Sequence, residues 1–138
     1  MKSAKIAVEI PTWVGTKVVA VEVSEAEARE ARDPDIALAL AAIKVPGISK
    51  FADFKELDIR VKRAYQKSEL IRNLVYQKAL NSVNGDEEIA QAWIRAWLKS
   101  NNWELPEDDE DAYEVSKMYY KYVWKMGSKY VVQVAPWM

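Results

Sequence analysis

Residues 49–84 read SKFADFKELDIRVKRAYQKSELIRNLVYQKALNSVN, and how they are read decides the fold. No Gly or Pro interrupts them. At 100° per residue, Phe54, Leu57, Val61, Ala64, Ile71, Val75 and Ala79 gather on one stripe. The spacing predicts one long amphipathic helix, capped by Ser49, with that stripe turned to a core. The opposite face carries Lys55, Lys62, Arg63, Gln66, Lys67, Asn73 and Gln77, while Lys50, Arg60, Arg72 and Lys78 add charge toward its flanks and ends. Between Lys50 and Leu80, eight Lys/Arg stand against Asp53, Glu56, Asp58 and Glu69, on a chain of net charge −1. Positive charge is therefore segregated onto this stretch.

On the N-terminal side, 5–10 (KIAVEI) and 17–23 (KVVAVEV) are rich in β-branched residues and flank the turn-forming PTWVGT. They fit a β-hairpin or an extended arm over 1–23. Ala and Val occupy both faces, which leaves the pairing register open. Ser24-Glu25-Ala26-Glu27 is a capping box that starts a helix. Asp33-Pro34 supplies a fresh cap and first-turn residue for a second, over 34–44. The latter's IALALAAI is apolar nearly all round, so it is expected to be buried.

On the C-terminal side, Asn84-Gly85-Asp86 ends the long helix and caps another, with Ile89, Trp93, Ala96 and Trp97 on one face. Glu104 to Glu114 holds seven carboxylates and no base. These acids open a last helix, 107–126, whose far end carries Lys117, Lys121 and Lys125, a polarity the helix dipole favours. Gly127 suits a C-terminal cap, and 129–134 reads as a strand.

The expected fold is mainly α, a helical bundle of three to five helices with extended or β segments at both termini. It comprises an arm or hairpin (1–23), the bundle (24–127) and a C-terminal strand or tail (128–138), one domain overall. At 138 residues, half of them apolar, the chain can bury a core without staples. The apolar runs are too short to cross a bilayer, and the N-terminus lacks the pattern of a signal peptide, so synthesis inside the cell is the default. The Cys-free, Lys/Glu-rich, Gly-poor composition leans toward a thermophile.

The chain has neither Cys nor His. Disulfides, thiolate chemistry, the commonest metal ligand and the commonest general base are therefore excluded. No Gly-rich phosphate loop, metal-ligand cluster or nucleophile elbow is present, and Ser24, Ser49 and Ser116 have no His to activate them. No enzymatic role, metal, cofactor or small-molecule substrate is expected. The acidic run lacks the spaced ligands and mid-loop Gly of an EF-hand loop and reads better as helix capping on a solvated surface.

A row of cations interleaved with amides can track a nucleic-acid backbone without reading sequence. On that reading Lys50, Lys55, Arg60, Lys62, Arg63, Gln66, Lys67, Asn73, Gln77 and Lys78 contact phosphates. The plainer reading is a solvated helix face. Six Trp and seven Tyr exceed what one small core hides, and interfaces favour both residues. This makes Trp13, Trp93, Trp97, Tyr120, Trp124 and Trp137 candidates for a subunit interface, against the alternative that they fill the core.

The arm MKSAKIAVEIPTWVG, the basic helix FKELDIRVKRAYQKSELIRN and the aromatic helix EVSKMYYKYVWKM together resemble the major coat proteins of filamentous double-stranded DNA viruses of hyperthermophilic archaea. The resemblance lies in architecture along the whole chain. It implies a coat subunit that self-assembles around double-stranded DNA in a virion, with a related second coat subunit and an envelope as further partners. The net charge of −1 departs from the basic character expected of a DNA sheath, and charge segregation offsets that departure. The rival reading is a small cytoplasmic helical interaction module, such as an adaptor, an antitoxin-like protein or a small subunit of an RNA-guided complex.

Overall fold

The computed structural model describes residues 3–101, 108–118, 123–126, 129–132 and 135–138. Its elements are β1 (Ser3–Thr12), β2 (Gly15–Ser24), α1 (Glu25–Glu30), α2 (Pro34–Lys44), a 3-10 turn (Ile48–Lys50), α3 (Phe54–Lys67), α4 (Glu69–Ser82), α5 (Glu87–Lys99), α6 (Glu110–Met118), β3 (Val123–Met126) and β4 (Lys129–Val132). The expected mainly-α bundle of three to five helices with extended or β segments at the termini is corrected by this architecture. Among the described residues, six α-helices accompany a fully paired N-terminal antiparallel hairpin, which makes the fold α+β. Two compact units divide the chain, Met1–Val75 with Met138, and Tyr76–Trp137.

The hairpin is part of the first unit's core. Its register runs from Ser3↔Ser24 at the open end to Thr12↔Gly15 at the turn. Paired residues share a face, so Val8, Ile10, Val21 and Val23 line one side and are buried, while Lys5, Ala7, Glu9, Val18, Ala20 and Glu22 lie exposed on the other. The alternation that Ala and Val blur in the sequence is thus clean in space. Trp13 and Val14 form the turn with negative φ. Gly15, at φ 147°, takes the conformation that L-residues avoid. Beyond the hairpin, Thr12 bridges to Ala52 and the Asp53 N–H donates to the Pro11 carbonyl at 2.8 Å.

Two helix starts form as their sequences dictate. Ser24 Oγ accepts from the Glu27 N–H at 3.2 Å, and Glu27 Oε1 accepts from the Ser24 N–H at 2.8 Å, completing the capping box of α1. Asp33 caps α2 through the Asp35 and Ile36 N–H groups, with Pro34 in the first turn. The apolar α2 is buried as expected, with Leu38, Ala39, Leu40 and Ala41 wholly inaccessible.

The single long helix is the second correction. Ser49 lies in the 3-10 turn, and helix begins only at Phe54, capped by Asp53. It then breaks at Ser68, whose backbone is extended at φ −130° and ψ 117°. Ser68 is buried. Its Oγ accepts from the Ile71 N–H at 3.2 Å, which caps α4, and donates to the Glu30 carboxylate at 2.7 Å. The open end of α3 is covered in turn by the Arg72 guanidinium, which donates to the Tyr65 and Gln66 carbonyls at 3.0 and 3.3 Å. A serine thus does here what Gly or Pro more often does. The apolar stripe survives the break, with Leu57, Val61, Ala64, Ile71, Val75 and Ala79 all inaccessible.

In the second unit, Asn84 and Gly85 adopt positive φ (54° and 83°), and the Gly85 N–H returns to the Leu80 carbonyl at 2.9 Å, closing α4 as expected. Asp86 caps α5 through the Ile89 N–H. The last helix is shorter than the sequence implies. It is described from Glu110 to Met118, and Val123–Met126 is already a strand, paired antiparallel with Lys129–Val132. Val123 and Trp124 are β-formers, and strand pairing overrides the helical period there. Tyr120, Lys121 and Gly127 lie outside the described residues.

Candidate nucleic-acid interface

The charged face of α3 is built on the stripe opposite Leu57, Val61 and Ala64. Once those residues enter the core, the 3.6-residue period turns Lys55, Ile59, Arg63 and Gln66 to solvent. A shallow groove of about 260 Å³ runs here, lined by Asp53, Lys55, Glu56, Ile59, Arg60 and Arg63. Ile59 is 42% exposed in its middle.

The cations expected to act as one row separate into two groups. Arg60, Lys62 and Lys67 are bound to carboxylates of their own chain. Arg60 Nε donates to Asp35 Oδ1 at 2.8 Å and its Nη2 to the Pro34 carbonyl at 3.1 Å. Lys67 Nζ bridges Asp33 at 2.7 Å and Asp35 at 3.2 Å. Lys62 Nζ meets Asp58 one turn back at 3.1 Å. Lys50, Lys55, Arg63 and Lys78 have no ion-pair partner among the described residues. Lys50, Lys55 and Arg63 are exposed, Lys78 only partly, and Gln66, Asn73 and Gln77 are exposed on α3 and α4.

The pairings leave their mark on the carboxyl groups. The Lys67 ammonium holds Asp33 below the usual carboxylate range, and the same contact raises Lys67 above the ordinary lysine range. Burial by itself would raise Asp35, but Arg60 and Lys67 outweigh it and the carboxyl is lowered. Glu27 follows the same pattern: burial opposes ionisation, and Lys44, 2.7 Å away, together with the Ser24 N–H reverses the effect. These groups clamp α2 and α1 in place. They account for much of the positive charge that the sequence places on α3; the partners of Arg60 and Lys67 lie 25 to 34 positions away, out of reach of any local pattern, while Lys62 meets Asp58 within one turn.

The aromatic candidates also separate. Trp93, Trp97 and Trp137 are buried within the chain, at 6%, 0% and 1% exposure, and act as core. Trp13 is 72% exposed at the hairpin turn beside Val14. Trp124 lies in β3, not on a helix, so it shares no helical face with Lys117, and Tyr120 lies outside the described residues.

The acidic segment, in the second unit, forms a wider groove of about 750 Å³ between α5 and the start of α6, lined by Glu88, Arg95, Asp108, Asp109, Asp111 and Glu114 among others. Asp109 caps α6 through the Ala112 N–H at 3.0 Å. The Arg95 guanidinium grips Asp111 at 3.1–3.2 Å, and Lys99 bridges Asp109 and Asp111 at 3.3 and 3.0 Å. Arg95 and then Lys99 hold the Asp111 carboxyl below the usual range. Among the described residues, no three carboxylates converge as metal ligands would, and no helix is long and apolar enough to cross a membrane.

No protein-family model, curated protein or solved structure matches this chain.

Proposed function

We propose that the chain is a non-enzymatic structural subunit that self-assembles along double-stranded DNA, touching the phosphate backbone without reading sequence. The observation that carries this reading is the exposed set Lys50, Lys55 and Arg63 at and along α3, which has no ion-pair partner among the described residues while neighbouring cations are paired internally. Lys55 and Arg63 are eight residues apart, roughly 12 Å along the helix axis, a span wide enough for the two to meet separate phosphates of one duplex. Three such cations give a modest salt dependence, with log K falling about 0.9 per phosphate neutralised, so one subunit alone holds DNA weakly. A sheath acquires its grip from many linked subunits, each adding its small share. The place of action on this reading is a virion.

The test is assembly on duplex DNA, followed by negative-stain microscopy and nuclease digestion, comparing wild type with the K55E/R63E variant. Wild type is expected to form regular particles with protected DNA. The variant is expected to lose protection at least tenfold while keeping its helical circular dichroism. Undiminished protection in the variant removes α3 from the interface. Lys62 and Lys67 are unsuitable for this test, because reversing them sets like charges against Asp58, Asp33 and Asp35.

A second reading, a small helical interaction module, is favoured by the same internal ion pairs and by the exposed Trp13–Val14 turn, which offers an apolar contact independent of nucleic acid. A discrete small complex free of DNA would select it.

A further inference from the structure

β1 has an outer edge that pairs with no strand among the described residues from Ser3 to Glu9. The far end of that edge is closed: Pro11 has no N–H, and its carbonyl already accepts from Asp53. That same bond fixes which residues point outward. In an antiparallel ladder, residues alternate between bonding their neighbour strand and bonding away from it. Pro11 bonds away from β2, so Lys5, Ala7 and Glu9 also turn their N–H and C=O groups outward, while Ile6, Val8 and Ile10 bond β2. An open row of this kind is a template for another strand.

We infer that this edge pairs antiparallel with the same edge of a second copy of the chain, about a two-fold axis at Ala7. Lys5 and Glu9 are both exposed, and neither has an ion-pair partner among the described residues. They stand two positions either side of Ala7. Centring the pairing there sets Lys5 against the partner's Glu9, and Glu9 against the partner's Lys5. On the inner face, Ile6 meets the partner's Val8. About six main-chain hydrogen bonds form, and the hairpins merge into one four-stranded sheet.

The alternatives are poorer. Centring on Lys5 or on Glu9 places like charges opposite each other, which destabilises a sheet. Intermediate registers leave both charges facing Ser, Ala or Pro. The outer edge of β2 turns Thr16, Val18, Ala20 and Glu22 outward, with no cation to meet Glu22. Of the two edges of this hairpin, self-complementarity therefore belongs to that of β1, in one register. The pairing needs no nucleic acid and stands apart from the function proposed above.

The experiment is sedimentation of the full chain without DNA, for wild type, K5E, E9K and an equimolar mixture of the two variants. Wild type is expected to dimerise. Each variant alone sets two like-charge pairs across the axis and should weaken association by about tenfold or more. The mixture restores both opposite-charge pairs and should recover the dimer. A second arm uses the absence of native Cys: A7C should oxidise to a covalent dimer, and A20C, on the β2 edge, should not. A wild type that stays monomeric at high concentration overturns the inference and leaves the edge to a different protein or to solvent. So does a dimer that survives in K5E and E9K separately, or an A7C that cross-links no faster than A20C. Circular dichroism identifies any variant that fails to fold, and the two arms use different substitutions.

Discussion

The same clamp occurs once in each unit of the molecule, and the two versions differ in how much water reaches them. In the first unit Arg60 and Lys67 of α3 grip Asp33 and Asp35 at the start of α2. In the second, Arg95 and Lys99 of α5 grip Asp109 and Asp111 at the start of α6. Each uses an Asp-x-Asp in which the first aspartate caps the helix, and in each the lysine spans both carboxylates. The difference lies in the arginines: Arg60 is 20% exposed at its side chain and Arg95 53%, whereas Lys67 and Lys99 are both solvated and Asp35 and Asp111 are equally covered. The Arg60–Asp35 pair is therefore the more shielded of the two arginine contacts, and screening by water decides what such a pair contributes.

Removing one carboxylate from each clamp is the most direct way to break this comparison. Asp35→Ala strands a largely covered guanidinium and should cost about 1–3 kcal/mol. Asp111→Ala leaves cations that water already reaches and should cost at most about 1 kcal/mol. Urea denaturation followed by far-UV circular dichroism measures both, and equal losses would erase the distinction.

Acid titration sharpens it. Glu27, Asp33 and Asp35 in the first unit, and Asp111 in the second, all have lowered folded-state values. Their contribution is fully present above the ordinary carboxylate range, about pH 4, and is lost as pH falls from there through the lowered folded-state values. Thermal midpoints should therefore drop on the acid side. D33N/D35N should flatten that drop more than D111N does, since it removes two depressed carboxyls instead of one.

Salt provides the smallest effect. At about 1 M salt the Debye length is near 3 Å, and exposed pairs are screened first. The cost of Asp111→Ala should shrink toward zero there, while that of Asp35→Ala persists. A parallel decline of both would mean that the α2–α3 clamp is as wet as its counterpart.

The two clamps also mark how far the sequence can be read. The capping box at Ser24, the Asp33-Pro34 start, the Asn84-Gly85 stop and the buried α2 all follow from signals within four or five residues, and all were legible. Ser68 was not. Ser-Glu-Leu-Ile is a helix start only if the preceding backbone turns extended, and the Glu30 carboxylate that holds it there is 38 positions away. The internal pairing of Arg60 and Lys67 was hidden for the same reason, since a cation's partner across a helix pair leaves no local trace. The β1–β2 register was hidden because Ala and Val suit either face, until the helices buried one of them. In 123–126, helical spacing and strand propensity competed, and pairing with β4 decided it.

The break at Ser68 also shapes how the chain melts. It leaves two helices of 14 residues each in place of one more than twice that length. Segments of about 12–15 residues are marginal alone in water, whereas a long uninterrupted helix can persist after its surroundings loosen. Neither α3 nor α4 has that independence. Helical signal from this region should vanish together with the packing of Leu57, Val61, Ile71 and Val75, without a lingering tail, so the serine joint ties secondary structure to the cooperativity of unfolding.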